Sequence, residues 1–190
     1  MRLILASASP RRLDLLARIG VKPDAVIPPG IDESVARGEL PRQHALRLAR
    51  GKAEAVAAAN PDALVLAADT VVAVGRRILP KVEDEATLRA CMKLLSGRRH
   101  RVLTGVALAI PAKGIRERLV ETMIAMKRLS EEEIEVYARH GEWRGKAGGY
   151  ALQGYGEVYV RHIAGSYSNV VVLPLAETRV LLKSAGYAIA

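Results

Sequence analysis

Two arginines occupy a position where a helix disfavours positive charge. In "LASASPRR", residues 5–12, Ser9 followed by Pro10 has the pattern of an N-cap with proline at the first helical position. Leu13, Leu15, Leu16 and Ile19 then supply an apolar stripe, and Gly20 a stop. Arg11 and Arg12 therefore fall in the first turn, where a cation loses about 0.3–1 kcal/mol against the helix dipole. A bound phosphate shared by both guanidinium groups and the free backbone N–H groups would offset that loss. Two solvated arginines at a surface turn would need no ligand at all. The helix expected from Ser130 has the ordinary sign, with Glu131, Glu132 and Glu133 in its first turn and a Ser-x-x-Glu capping pattern.

Other polar groups sit among apolar neighbours. "LVLAADTVVAV", residues 64–74, reads as an apolar strand interrupted by Asp69 and Thr70. A carboxylate there needs a charge partner, a metal or access to water. Strand ends opening into a crevice are where α/β proteins place chemistry, while a turn aspartate between two strands is the plainer alternative. Lys52 shares a helix face with Leu48 and Val56, so it either snorkels to solvent or pairs with a buried anion. Lys81, after "GRRIL", and Glu33, in "GIDES", carry no signal by themselves. "GKAGGYALQGYG", residues 145–156, is glycine-rich, which suits either a backbone cradle for an anion or a tight corner. It matches neither the Walker A loop nor the dinucleotide spacing.

Several chemistries have no support. There is no H-E-x-x-H and no G-x-S-x-G, and His44, His100, His140 and His162 lie far apart. Cys91 is the single cysteine, which excludes an internal disulfide and a thiolate zinc cage and reads most simply as core packing. What remains is a set of basic groups with a few carboxylates, the equipment of phosphoryl chemistry assisted by a divalent cation.

The elements that must position these residues alternate between two periods. Strands are expected at 3–6, 63–67 continuing through 70–74, 102–109, 119–126 and 157–163; helices at 9–19, 41–59, 84–95, 130–140 and 175–184. A long hairpin should turn at "PAKG", residues 111–114. Hairpins together with helical crossovers imply an α/β fold with a mixed, twisted central sheet flanked by helices. The 190 residues are expected to form a single domain, 1–190, of two lobes around a cleft.

Lys and Arg total 29 against 20 Asp and Glu, a net charge of +9 that points to anionic partners. Aromatic residues are only 4%, so the stacking platforms of single-strand binders are poorly supplied and nucleic acid is disfavoured as a partner. No run approaches a membrane span, and the short apolar stretch 3–8 is too brief for a secretory signal. A cytoplasmic protein with no membrane partner is expected. Oligomeric state is left open, a homodimer included.

Seven segments, in order, resemble a known family: "LASASPRR", "IDES", "RLARGKA", "AADTVV", "LSGRRHRVLTGVAL", "GKAGGYALQG" and "GSYSNVVVLPL". Their sequence and spacing, from Leu3 to about Leu181, are similar to the Maf family of nucleoside triphosphate pyrophosphatases. The Arg-Arg pair, the A-D-T strand and the glutamine of K-A-G-x-Y-x-x-Q-G look like the branch acting on dTTP and UTP, with the 7-methyl-GTP branch as the alternative. The resemblance implies that Ser7, Arg11 and Arg12 line a phosphate site completed by Lys52 and Lys81. It implies Asp69 as proton acceptor, Glu33 as an acidic partner in the same cleft, and Mg²⁺ or Mn²⁺ held by Asp69 and Glu33. Arg12, Thr70 and Gln153 match the positions associated with base preference; an amide that donates and accepts suits the O4 and N3–H edge of thymine or uracil. The implied reaction converts a nucleoside triphosphate, modified pyrimidine nucleotides included, to monophosphate and pyrophosphate. Readings from other classes are a non-catalytic nucleotide or nucleic-acid binder and a phosphatase releasing orthophosphate. Two departures stand out: L-P-K-V at 79–82 where the family usually has L-G-K-P, and V-L-P-L at 172–175 where it usually has G-L-P-L. The first bears on the loop geometry of Lys81, the second on packing.

Overall fold

The computed structural model describes residues 1–189. Along the chain run β1 (Leu3–Ala6), α1 (Pro10–Arg18), β2 (Ala25–Val26), α2 (Pro41–Ala58), β3 (Leu64–Val74), β4 (Arg77–Ile78), β5 (Lys81–Val82), α3 (Glu85–Leu95), β6 (Arg99–Ile110), β7 (Gly114–Met126), α4 (Glu131–His140), β8 (Lys146–Ala147), β9 (Val160–Ala164), α5 (Tyr167–Val171) and α6 (Leu175–Ser184). The main sheet has the order β2-β1-β3-β6-β7-β9, with β4 added to the edge of β3. β1 is parallel to both β2 and β3, whereas β3, β6, β7 and β9 pair antiparallel. The mixed α/β architecture expected from the alternating periods is the one found.

The central strand is long and apolar because both of its faces are covered. On one side α2 lays Ala49, Ala53 and Val56 against Val65, Ala67 and Ala107. On the other, Leu15 and Leu16 of α1 and Leu181 and Leu182 of α6 pack against Leu64, Leu66 and Val106. A third apolar cluster joins α3, α4 and the segment around Tyr150 through Leu88, Met92, Tyr137 and Trp143. Val82 of a two-stranded antiparallel ribbon, β5 with β8, belongs to the same cluster, and the ribbon pairs Lys81 with Ala147 and Val82 with Lys146.

One topological detail makes room for a site. β1 pairs with β3 only as far as Ala6 opposite Ala67, and β4 rejoins the same edge at Ala73. The intervening edge of β3, which contains Asp69 and Thr70, is left without a neighbouring strand on that side.

One expectation is corrected, and two short elements are new. The strand expected at 157–163 begins only at Val160, after a 3₁₀ turn over Tyr155–Tyr159. The backbone N–H groups of Tyr155 and Gly156 are held by the Glu142 carboxylate at 2.9 and 2.7 Å, which fixes a turn where the sequence suggested extension. The short helix α5, capped by Ser166 on the Asn169 N–H, and the β5–β8 ribbon are too brief for periodicity to register. The Ser130 capping box forms as expected, with Glu133 as its acidic partner, and Cys91 is buried in α3 as core.

Candidate active site

α1 begins beside a cavity of about 370 Å³, a size suited to a small-molecule ligand. Eight of the nine residues singled out in the sequence line it: Ser7, Arg11, Arg12, Glu33, Lys52, Asp69, Thr70 and Lys81. The ninth, Gln153, is exposed in the loop that follows and is not part of the wall. Its neighbours Leu152 and Ala151 take the inward positions, and Tyr150 is the residue of that loop which reaches the cavity.

The site assembles from backbone upward. Ser7, the first residue past β1, is buried; its Oγ accepts from the Ser9 N–H and from Arg12 Nη1, both at 3.0 Å. Ser9 takes the extended N-cap conformation before Pro10, yet its hydroxyl makes no capping bond and is itself without a partner. Arg12 is buried, and its Nε donates to the Val172 carbonyl at 3.2 Å. Burial pushes the Arg12 guanidinium below its usual range, opposed by Asp69; arginine stays charged regardless. Arg11, half-buried beside it, is lowered by the same desolvation.

Successive residues of a strand point to opposite faces, and β3 uses both. Asp69 faces α2, where Lys52 Nζ donates to its Oδ1 at 2.7 Å. Thr70 faces α5, its Oγ1 lying 3.0 Å from Thr104 Oγ1 and 3.3 Å from the Val172 carbonyl. Lys52 does not snorkel. It is only 5% exposed and also contacts Glu33 Oε1 at 2.7 Å. Glu33 Oε2 in turn accepts from Lys81 at 2.6 Å. Partial burial works against ionising Glu33, but the two lysine ammonium groups outweigh it and hold the carboxyl at about 2.

Lys146, which is not among the nine, also lines the cavity. Its own signal was available: a lysine inside a glycine loop, in a chain that already showed unexplained cations. The cavity thus holds five cations, Arg11, Arg12, Lys52, Lys81 and Lys146, against two carboxylates. Such a surplus suits a polyanion.

The profile of the family described as "Maf-like protein" matches residues 2–185. The chain belongs to the Maf family. Among its relatives, one from Novosphingobium aromaticivorans is 60% identical over 184 residues, covering 97% of this chain and 92% of its own. Another, from Caulobacter vibrioides, is 60% identical over 185 residues, covering 97% and 96%. Both are named dTTP/UTP pyrophosphatase. Among solved structures, the Staphylococcus aureus Ham1 protein matches with a TM-score of 0.54 at 17% identity, covering 98% of this chain and 97% of its own. A HAM1 protein from Coxiella burnetii gives 0.54 at 13% identity, covering 97% and 99%. At such low identity these two speak to the fold alone. Among the described residues no helix is long and apolar enough to cross a membrane.

Proposed function

We propose that this Maf chain hydrolyses dTTP and UTP, with water, to the nucleoside monophosphate and pyrophosphate. The observation that carries the reading is the convergence of five cations and two carboxylates on one cavity, in a chain 60% identical to relatives named for that reaction. A metal-free triphosphate carries about four negative charges, so the cations would bind and orient it and stabilise charge developing on the leaving pyrophosphate. Asp69 would orient the attacking water and take its proton. Oδ1 is occupied by Lys52, and Oδ2 has no hydrogen-bond partner among the described residues. The proton leaves the water as its oxygen bonds to the α-phosphorus and the bond to the bridging oxygen breaks.

A divalent cation fits this site as one shared with substrate. Asp69 and Glu33 converge on a single nitrogen of Lys52, and no cluster of three or more acidic, His or Cys ligands exists among the described residues. Two carboxylates completed by phosphate oxygens is a donor set that Mg²⁺ accepts. When bound, Mg²⁺ or Mn²⁺ would neutralise phosphate charge. In base choice, Thr70 stands in the cavity wall, while Gln153, exposed on the loop beyond Tyr150, would meet the base only if the nucleoside extends past that wall.

Asp69→Asn should keep the fold while lowering kcat by about 10²-fold or more, the usual scale of a lost general base. Pyrophosphate release measured over a panel of triphosphates with Mg²⁺ or Mn²⁺ checks both claims. Near-normal turnover of the variant would overturn the role of Asp69. Orthophosphate as product would overturn the reaction, and preference for 7-methyl-GTP would overturn the pyrimidine assignment. The cytoplasm is the expected setting for such an activity.

A further inference from the structure

The five cavity cations divide into two groups. Lys52 pairs with Asp69 and Glu33, and Lys81 pairs with Glu33, so two lysines are matched by two carboxylates. Arg11, Arg12 and Lys146 have no carboxylate partner among the described residues. The bonds of Arg12 go to neutral acceptors, Ser7 Oγ and the Val172 carbonyl. Lys146 Nζ donates to the carbonyl oxygen of Glu142. The carboxylate of that same glutamate is turned onto the loop, where it receives Tyr155 N–H, Gly156 N–H and the Tyr137 hydroxyl.

These three cations crowd one another. Lys146 is half-buried, and its ammonium is pushed below the usual lysine range first by burial and then by the charge of Arg11; Arg11 acts on Arg12 in the same sense. They reach the cavity on separate elements, the arginines on the first turn of α1 and Lys146 on β8 of the small ribbon. Asp69 and Glu33 temper the charge of Arg12 and Glu142 that of Lys146 only from a distance, and a like-charged cluster brought together by independent segments without a direct acidic partner is stabilised by an anion.

We infer that Lys146 contacts substrate, joining Arg11 and Arg12 as the seat of the triphosphate tail, while Lys52 and Lys81 hold the two carboxylates. The inference rests on the triphosphate reading of the cavity. It changes the division of labour implied by the family resemblance, which gave Lys52 and Lys81 to the phosphates.

The test compares Lys146→Met and Lys146→Arg with the wild-type chain. Two quantities are read: KM for dTTP with Mg²⁺, and the affinity for inorganic pyrophosphate by calorimetry, a ligand that is not turned over. Losing one charge-assisted contact should raise both constants about tenfold or more in Lys146→Met. Lys146→Arg should recover most of the loss, and the melting temperature of Lys146→Met should not fall, because a repelling charge has gone. Should Lys146→Met fail to fold, Lys146→Gln supplies the same comparison. Constants within twofold of wild type in the uncharged variant would overturn the role of Lys146, with the reading of the site intact if wild type still hydrolyses dTTP. If wild type neither releases pyrophosphate from any triphosphate nor binds it, the site reading itself fails.

Discussion

Val172 has φ +153° and ψ 4°, a conformation that costs a residue with a side chain about 1–3 kcal/mol. The strain serves the site: the carbonyl it aims accepts from both Arg12 and Thr70. The Maf resemblance places glycine here as the usual residue, and the substitution was expected to alter packing. It alters packing and backbone strain together, because the valine side chain is also buried with Leu173 and Val171 in the core around α1 and α6. Val172→Ala loses apolar contact and keeps the strain; Val172→Gly loses the same contact and relieves it. The glycine variant should therefore be the more stable of the two by about 1 kcal/mol, reversing the usual order, in which glycine costs roughly 0.5–1 kcal/mol relative to alanine. Thermal or urea unfolding of the pair decides it, and alanine above glycine would mean that the backbone is not strained.

α2 can deliver Lys52 to Asp69 only by lying very close to the sheet. Gly105, the residue paired with Asp69 across β3 and β6, is what permits it. A Cβ there would stand 2.3 Å from the Ala45 carbonyl oxygen and 2.7 Å from its carbon. Those are backbone atoms of a long helix and cannot move aside cheaply. Gly105→Ala should destabilise the fold by about 3 kcal/mol, the upper end for overpacking, and should weaken the Lys52–Asp69 pair as α2 is pushed outward. Denaturant unfolding measures the first effect and turnover of dTTP the second. A variant with wild-type stability would show that the helix has slack. The ribbon makes a similar point about positioning: its two-residue strands carry Lys81 and Lys146 to the cavity only because they pair with each other.

Acid should act on the whole fold through His100. It is 2% exposed on β6, hydrogen-bonded by Nε2 to the Tyr150 hydroxyl at 2.7 Å, with Nδ1 unpartnered. Burial lowers its pKa from 6.5 to about 4. The unfolded chain thus takes up a proton that the folded chain refuses, so the contribution is fully present above pH 6.5 and is lost as pH falls toward 4. Over that window the loss approaches about 3 kcal/mol. His100→Gln, which can keep the bond to Tyr150, should flatten the decline in unfolding free energy by close to one proton between pH 6.5 and 4. An unchanged slope would mean that His100 is protonated in the folded protein. Glu33 remains ionised throughout that range, so a fall in activity between pH 6.5 and 4 is not a discharge of this carboxylate.

Much of the site was legible in the chain because its residues violate local rules. Arg11 and Arg12 oppose a helix dipole, Asp69 interrupts an apolar strand, and Lys52 sits on an apolar helix face; each anomaly is visible within one turn or one strand. Strand and helix positions were legible for the same reason, since periodicity is a local property. Glu33 and Lys81 offend no local rule, Lys146 is marked only by its glycine loop, and the place of all three in the cavity depends on which loops meet across it. Nor does anything local mark Gln153 as exposed, next to the buried Ala151 and Leu152. Local sequence set the elements and marked the polar residues that needed partners. Only three-dimensional packing assigned those partners, because an ion pair between Lys52 and Asp69, or a carbonyl shared by Arg12 and Thr70, joins residues that lie 17 to 160 positions apart.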